Sequence, residues 1–184
     1  TEGTGGGAGV PTGGVAPSGL DISMTEAIVE GDVATLRVSF TDPDLSDTHV
    51  VSIDWGDGSD LQELTPPVGD RAIVVGHQYL DDPPSAAPDD LFQVDVTGTD
   101  SNEAENSGSV SIEVTKGGPT VLFVNQPPTV NENGTTELLF AFADPGSIDE
   151  HTVTIDWGDG QQTVETLLVG TRERLFEHQY LDDP

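Results

Sequence analysis

From about residue 20 onward, apolar and polar residues alternate in short runs. Leu36, Val38 and Phe40 share one face of "TLRVSF", and Val51, Ile53 and Trp55 share one face of "VVSIDW". Phe92, Val94 and Val96 repeat the pattern, as do Val110, Ile112 and Val114. A period of two predicts β-strands with one buried face, near Ile22 and over 33–40, 49–55, 91–97 and 109–115. No segment shows a helical stripe. The runs "DWGDG" at 54–58 and 156–160 end two of these strands. Asp-Gly after an alternating run predicts a tight turn, with glycine at positive φ and the Asp57 carboxylate capping backbone N–H groups. Trp55 and Trp157 fall on the inward faces of their strands.

The alternation occurs twice. Val29–Gly58 aligns without a gap on Asn131–Gly160, and "HQYLDDP" ends both Gly76–Pro83 and Glu177–Pro184. Shared motif order and spacing mark an internal repeat. Three segments follow: a Gly-rich flexible arm or linker over 1–19, a first β-sandwich over 20–117, and a second repeat over 118–184 that lacks its last two strands. The counterparts of "LFQVDVTG" and "SGSVSIEV" do not appear in it. Two explanations stay open. The chain is a piece of a longer one, or another chain donates the strands by β-augmentation, since a half-open sandwich exposes its core and two edges.

Composition sharpens this picture. Hydrophobic residues make up 34%, so a core requires that they concentrate in the strands. Cysteine is absent, which removes disulfides. No apolar run is long enough to insert in a membrane. Thirty-four Asp and Glu face five Lys and Arg, a formal net charge of -29, which repels nucleic acid and anionic membranes and attracts cations. The carboxylates either converge on hard cations or form a salt-tolerant shell.

"SIDWGDGS", "GHQYLD" and "FQVDVTGTDSNEA", in that order, resemble the polycystic-kidney-disease (PKD) type repeat. "TVTIDWGDG" with "FADPG" resembles its relatives in large bacterial and archaeal surface proteins. Ile-Asp-Trp replaces the family's Trp-x-Phe, which shifts the tryptophan toward the turn. The resemblance implies an all-β fold of tandem immunoglobulin-like sandwiches, the second incomplete. It also implies a location outside the cell, at the surface or secreted, and a role in spacing, assembly or adhesion.

On such a sandwich the B–C and F–G loops share one end. "TDPDLSD" brings Asp42, Asp44 and Asp47 there, and "GTDSNE" brings Asp100 and Glu103. Ca²⁺ takes six to eight oxygen ligands, and the pairing used by calcium-binding members of the resembled family carries over to Asp42, Asp44 and Asp100. A second Ca²⁺ is expected where the repeats join, from Glu30, Asp81, Asp82, Asp144 and Asp149, although Gly146 stands where the first repeat has Asp44. His77 and His178 read as half-buried histidines bonded to backbone; zinc would need more N or S ligands than spacing provides. Neither an EF-hand loop nor a phosphate loop is present. Asn133, in "NGT", is an N-glycosylation acceptor by pattern. No catalytic constellation assembles, so the expected function is a non-enzymatic adhesive or structural module, a Ca²⁺-stiffened rod or filament. Its partners would be neighbouring repeats or copies of itself, or a surface or glycan ligand. The alternative is a carbohydrate-binding accessory of a secreted hydrolase, which requires an exposed aromatic platform.

Overall fold

The structure is a computed structural model that describes residues 15–80, 89–125 and 129–181. Every regular element among them is a strand, as the alternation predicts: β1 (Ser18–Met24), β2 (Ala27–Val29), β3 (Val33–Thr41), β4 (His49–Asp54), β5 (Gln62–Leu64), β6 (Ala72–Gln78), β7 (Asp89–Asp100), β8 (Glu105–Thr115), β9 (Thr120–Val124), β10 (Thr135–Ala143), β11 (His151–Asp156), β12 (Gln162–Leu167) and β13 (Glu173–Gln179). Of the Gly-rich arm, residues 1–14 lie outside the described residues, and Ser18 and Gly19 already belong to β1.

The first repeat forms two sheets, ordered β1-β3-β6 and β2-β8-β7-β4-β5. The first strand of the repeat is split between them. β1 runs antiparallel to β3, and β2 runs parallel to β8. Alternate residues of β3 (Leu36, Val38, Phe40), β4 (Val51, Ile53) and β7 (Phe92, Val94, Val96) are buried with Trp55. The low apolar content suffices because these residues lie at every second position and close on one another. β7 and β8 extend beyond the alternating runs by several polar residues. Backbone pairing, such as Val51↔Gly98 and His49↔Asp100, continues where the apolar signal has stopped.

In the second repeat the sheets are β13-β10-β9 and β11-β12. Among the described residues β11 is paired on one side only. Val153 and Ile155 are half-buried there, whereas their counterparts Val51 and Ile53 are buried between paired neighbours. Pro119, Val121, Phe140, Phe142, His151, Thr152 and Val153 line an open apolar recess of about 90 Å³.

The chain divides into two compact units. The first comprises Thr1–Glu26, Thr35–His77 and Leu91–Ile112, and the second Ala27–Ala34, Gln78–Asp90 and Glu113–Pro184. The second unit thus includes three segments of the first repeat.

Candidate metal centre

In the first unit β3 ends at Thr41, and Pro43 cannot donate to a further ladder. Asp42 turns the chain. Its Oδ1 accepts the Asp44 N–H at 2.7 Å, and its Oδ2 lies 2.8 Å from His49 Nε2 at the head of β4. The Asp47 N–H donates to the Asp44 carbonyl at 3.1 Å. This tight loop places one carboxylate oxygen each of Asp42, Asp44 and Asp47 within 4.8 Å of one another. Burial raises the Asp42 pKa. The Asp44 N–H, the His49 hydrogen bond and the charges of His49 and Arg71 lower it further than that, so the carboxyl sits below its ordinary value.

The neighbouring β7–β8 turn is held by Asp100, whose Oδ1 accepts the N–H groups of Asn102 at 2.8 Å and Ala104 at 2.9 Å. Asp100 lies opposite His49 in the ladder, and Asn102 Nδ2 donates to Asp47 Oδ2 at 2.9 Å. Asp100 Oδ2 is buried and has no hydrogen-bond partner. The expected trio is therefore rearranged. Asp42 and Asp44 meet, Asp47 takes the third place, and Asp100 sits on the adjoining turn. An all-oxygen set with a buried, unsatisfied carboxylate oxygen beside it suits a hard cation.

Sequence reasoning passed over Asp47 as a ligand and His49 as the residue that holds Asp42. The available signal was the recurrence of histidine seven positions after the loop's first aspartate. In the second unit Asp144 Oδ2 lies 2.9 Å from His151 Nε2. Asp144, Asp149 and His151 each place one ligand atom within 4.8 Å of the others. Asp144 and Asp149 are thus brought together as expected, with His151 added. Asp81 and Asp82 lie outside the described residues. Glu30 is fully buried, and its Oε1 accepts the Gly117 N–H at 2.7 Å.

The tryptophan corners are built differently from the expectation. Asp57 does cap its turn, with Oδ1 accepting the Ser59 N–H at 3.0 Å and hydroxyl at 2.6 Å. Its other oxygen lies 2.7 Å from His77 Nε2, so this histidine is bonded to a carboxylate rather than to backbone. The His77 ring stacks on Trp55, with centroids 4.4 Å apart and planes at 8°. In the second repeat His178 Nε2 lies 2.8 Å from Asp159 Oδ2 and stacks on Trp157 at 4.6 Å. Burial raises the Asp57 pKa, while the Ser59 hydroxyl, His77 and the Ser59 N–H bring it below the ordinary value. The His178 and Gln161 hydrogen bonds lower that of Asp159.

Ser59, Asp57 and His77 contain the residue types of a nucleophilic triad in an order that cannot serve as one. The hydroxyl donates to the carboxylate, so the imidazole is not placed to take its proton. The second repeat has Gln161 in place of Ser59. Both indoles are closed off, with Trp55 1% and Trp157 8% exposed. Asn133 is exposed at φ 59°, its N–H donating to the Tyr180 carbonyl at 2.8 Å.

No family model matches the chain, and no curated protein matches it. Among solved structures, it is similar to the PKD domain of an M14-like peptidase from Thermoplasmatales archaeon SCGC AB-540-F20. The identity is 18% and the TM-score 0.46, over 56% of this chain and 99% of that one.

Proposed function

We propose that this chain is a non-enzymatic, extracellular structural or adhesive module of PKD-like repeats, in which Asp42, Asp44 and Asp47 hold Ca²⁺. The observation that carries this reading is the three-carboxylate cluster beside the unpartnered Asp100 Oδ2. A buried anionic oxygen without a donor is costly, and a cation at the loops offsets that cost. Bound there, Ca²⁺ would supply a cross-link between the β3–β4 loop and the β7–β8 turn, which Asn102 already ties together. Stiff, loop-braced repeats suit a spacer, and a net charge of -29 suits a surface that stays apart from others of its kind. Neighbouring repeats or copies of the chain are its partners in this reading, with a strand added along the unpaired side of β11, and Asn133 is a glycan acceptor. No helix among the described residues is long and apolar enough to cross a membrane. The buried state of both tryptophans argues against the carbohydrate-platform alternative.

Thermal melts with and without chelator test the proposal. Saturation at a hundred times Kd adds about 2.7 kcal/mol, a clear rise in Tm. The paired substitutions Asp42→Asn and Asp44→Asn should abolish the calcium-dependent rise assigned to this loop. Identical melts with and without chelator would refute the calcium role and leave the acidity as a salt-tolerant shell.

A further inference from the structure

One residue difference between the repeats leaves a carboxylate oxygen without its partner. In the first unit Asp42 uses one oxygen on the Asp44 N–H and the other on His49. In the second unit Asp144 keeps the histidine contact, at 2.9 Å from His151 Nε2. Gly146 stands in the place of Asp44, and Asp144 Oδ1 is buried with no hydrogen-bond partner. The Asp144 side chain is 1% exposed, so water does not satisfy that oxygen. His151 Nδ1 is likewise buried and unpartnered.

Other carboxylates of the second unit converge on the same place. Asp149 completes the group with Asp144 and His151. A Cβ on Gly146 would lie 2.8 Å from Asp149 Oδ2 and 2.9 Å from Glu30 Oε1. The absent side chain is therefore what gives these two carboxylates room. Lys116 Nζ lies 3.2 Å from Asp149 Oδ1, and Arg172 Nη2 donates to the Gly146 carbonyl at 2.7 Å. One ammonium and one guanidinium turned to a carbonyl face three acids, two of them buried.

We propose that this constellation is a second cation site, taking a hard divalent cation such as Ca²⁺ on the carboxylates of Asp144, Asp149 and Glu30. His151 commits Nε2 to Asp144, so its role is to orient that carboxylate, as a hydrogen-bonded partner of a ligand commonly does. Oxygen donors select a hard ion over a soft one. Gly146 is a requirement of the site rather than a defect in it. The site does not depend on the Asp42–Asp44–Asp47 cluster.

The test is calorimetric titration of the chelator-stripped chain with CaCl₂ alone. Two equivalents should bind. Asp144→Asn should remove one of them, and Asp42→Asn with Asp44→Asn the other. Because Asp144→Asn alters a buried group, Gly146→Ala provides an independent probe. It removes no charge, its backbone does not require positive φ, and its methyl group displaces two carboxylate ends. It should weaken one equivalent tenfold or more while Trp157 fluorescence stays native. Two equivalents of unchanged affinity in both variants would overturn the site, as would a single equivalent lost only with Asp42 and Asp44; the latter leaves the proposed function standing. Tighter binding of ZnCl₂ that disappears in His151→Ala would overturn the oxygen-ligand assignment.

Discussion

Replacing His77 with alanine cuts the tie between β6 and the corner that follows β4. Two contacts disappear: the 2.7 Å contact with Asp57 and the stack on Trp55 at 4.4 Å. A hydrogen bond to a charged group contributes about 1.5–3 kcal/mol, and an aromatic pair about 0.5–1.5 kcal/mol beyond its area. Both members of the pair are roughly one-seventh exposed, so screening keeps the first figure at its lower end. The expected loss is about 2–3 kcal/mol. In a domain of this size each kcal/mol shifts Tm by about 4–8 °C. Urea unfolding followed by tryptophan fluorescence, in a Trp157→Phe background that leaves Trp55 as reporter, measures it. Asp57→Asn keeps an oxygen to cap Ser59 while losing the charge, which makes the double-mutant cycle with His77→Ala informative. A coupling energy of about 1 kcal/mol or more supports a corner lock. Additivity within about 0.5 kcal/mol would show that the two side chains merely lie near each other.

Four further outcomes are expected. Gly56→Ala should destabilise far more than Gly158→Ala: both glycines have positive φ, but a Cβ at 56 also strikes the Gln93 carbonyl while one at 158 meets nothing, a contrast that chemical denaturation of the two variants checks. Ile53→Ala should cost about 2–5 kcal/mol, and Ile155→Ala clearly less because its face is half covered; equal losses would contradict the one-sided pairing of β11. His49→Ala leaves the buried Asp42 carboxylate without its partner and should cost about 3–5 kcal/mol, measurable as a drop in urea midpoint. Asp42 and Asp57 are held below their unfolded value of 3.8, so their contribution is whole well above that pH and is lost as pH falls through their folded values; urea midpoints should fall steeply below about pH 4 and less steeply in Asp42→Asn and Asp57→Asn.

Much of the architecture is legible from alternation alone. One apolar residue at every second position specifies a strand, and motif order repeated along the chain specifies two related sandwiches, because pleat geometry is local. The turn role of Asp57 was readable for the same reason, since its caps lie two residues away. The splitting of the first strand into β1 and β2 was not readable, because which sheet a short segment joins depends on neighbours distant in the chain. Nor was the pairing of Asp57 with His77, or of Asp42 with His49. Those contacts need three-dimensional closure of the sheets, and spacing restricts them without choosing a partner. Asp47 displaced Asp100 from the expected trio because the Asp42–Asp44 turn folds back within its own loop. Gly146 shows the limit most clearly. On paper it deletes a ligand, while in space it opens the volume that Asp149 and Glu30 occupy, since a side chain's absence acquires meaning only from what surrounds it.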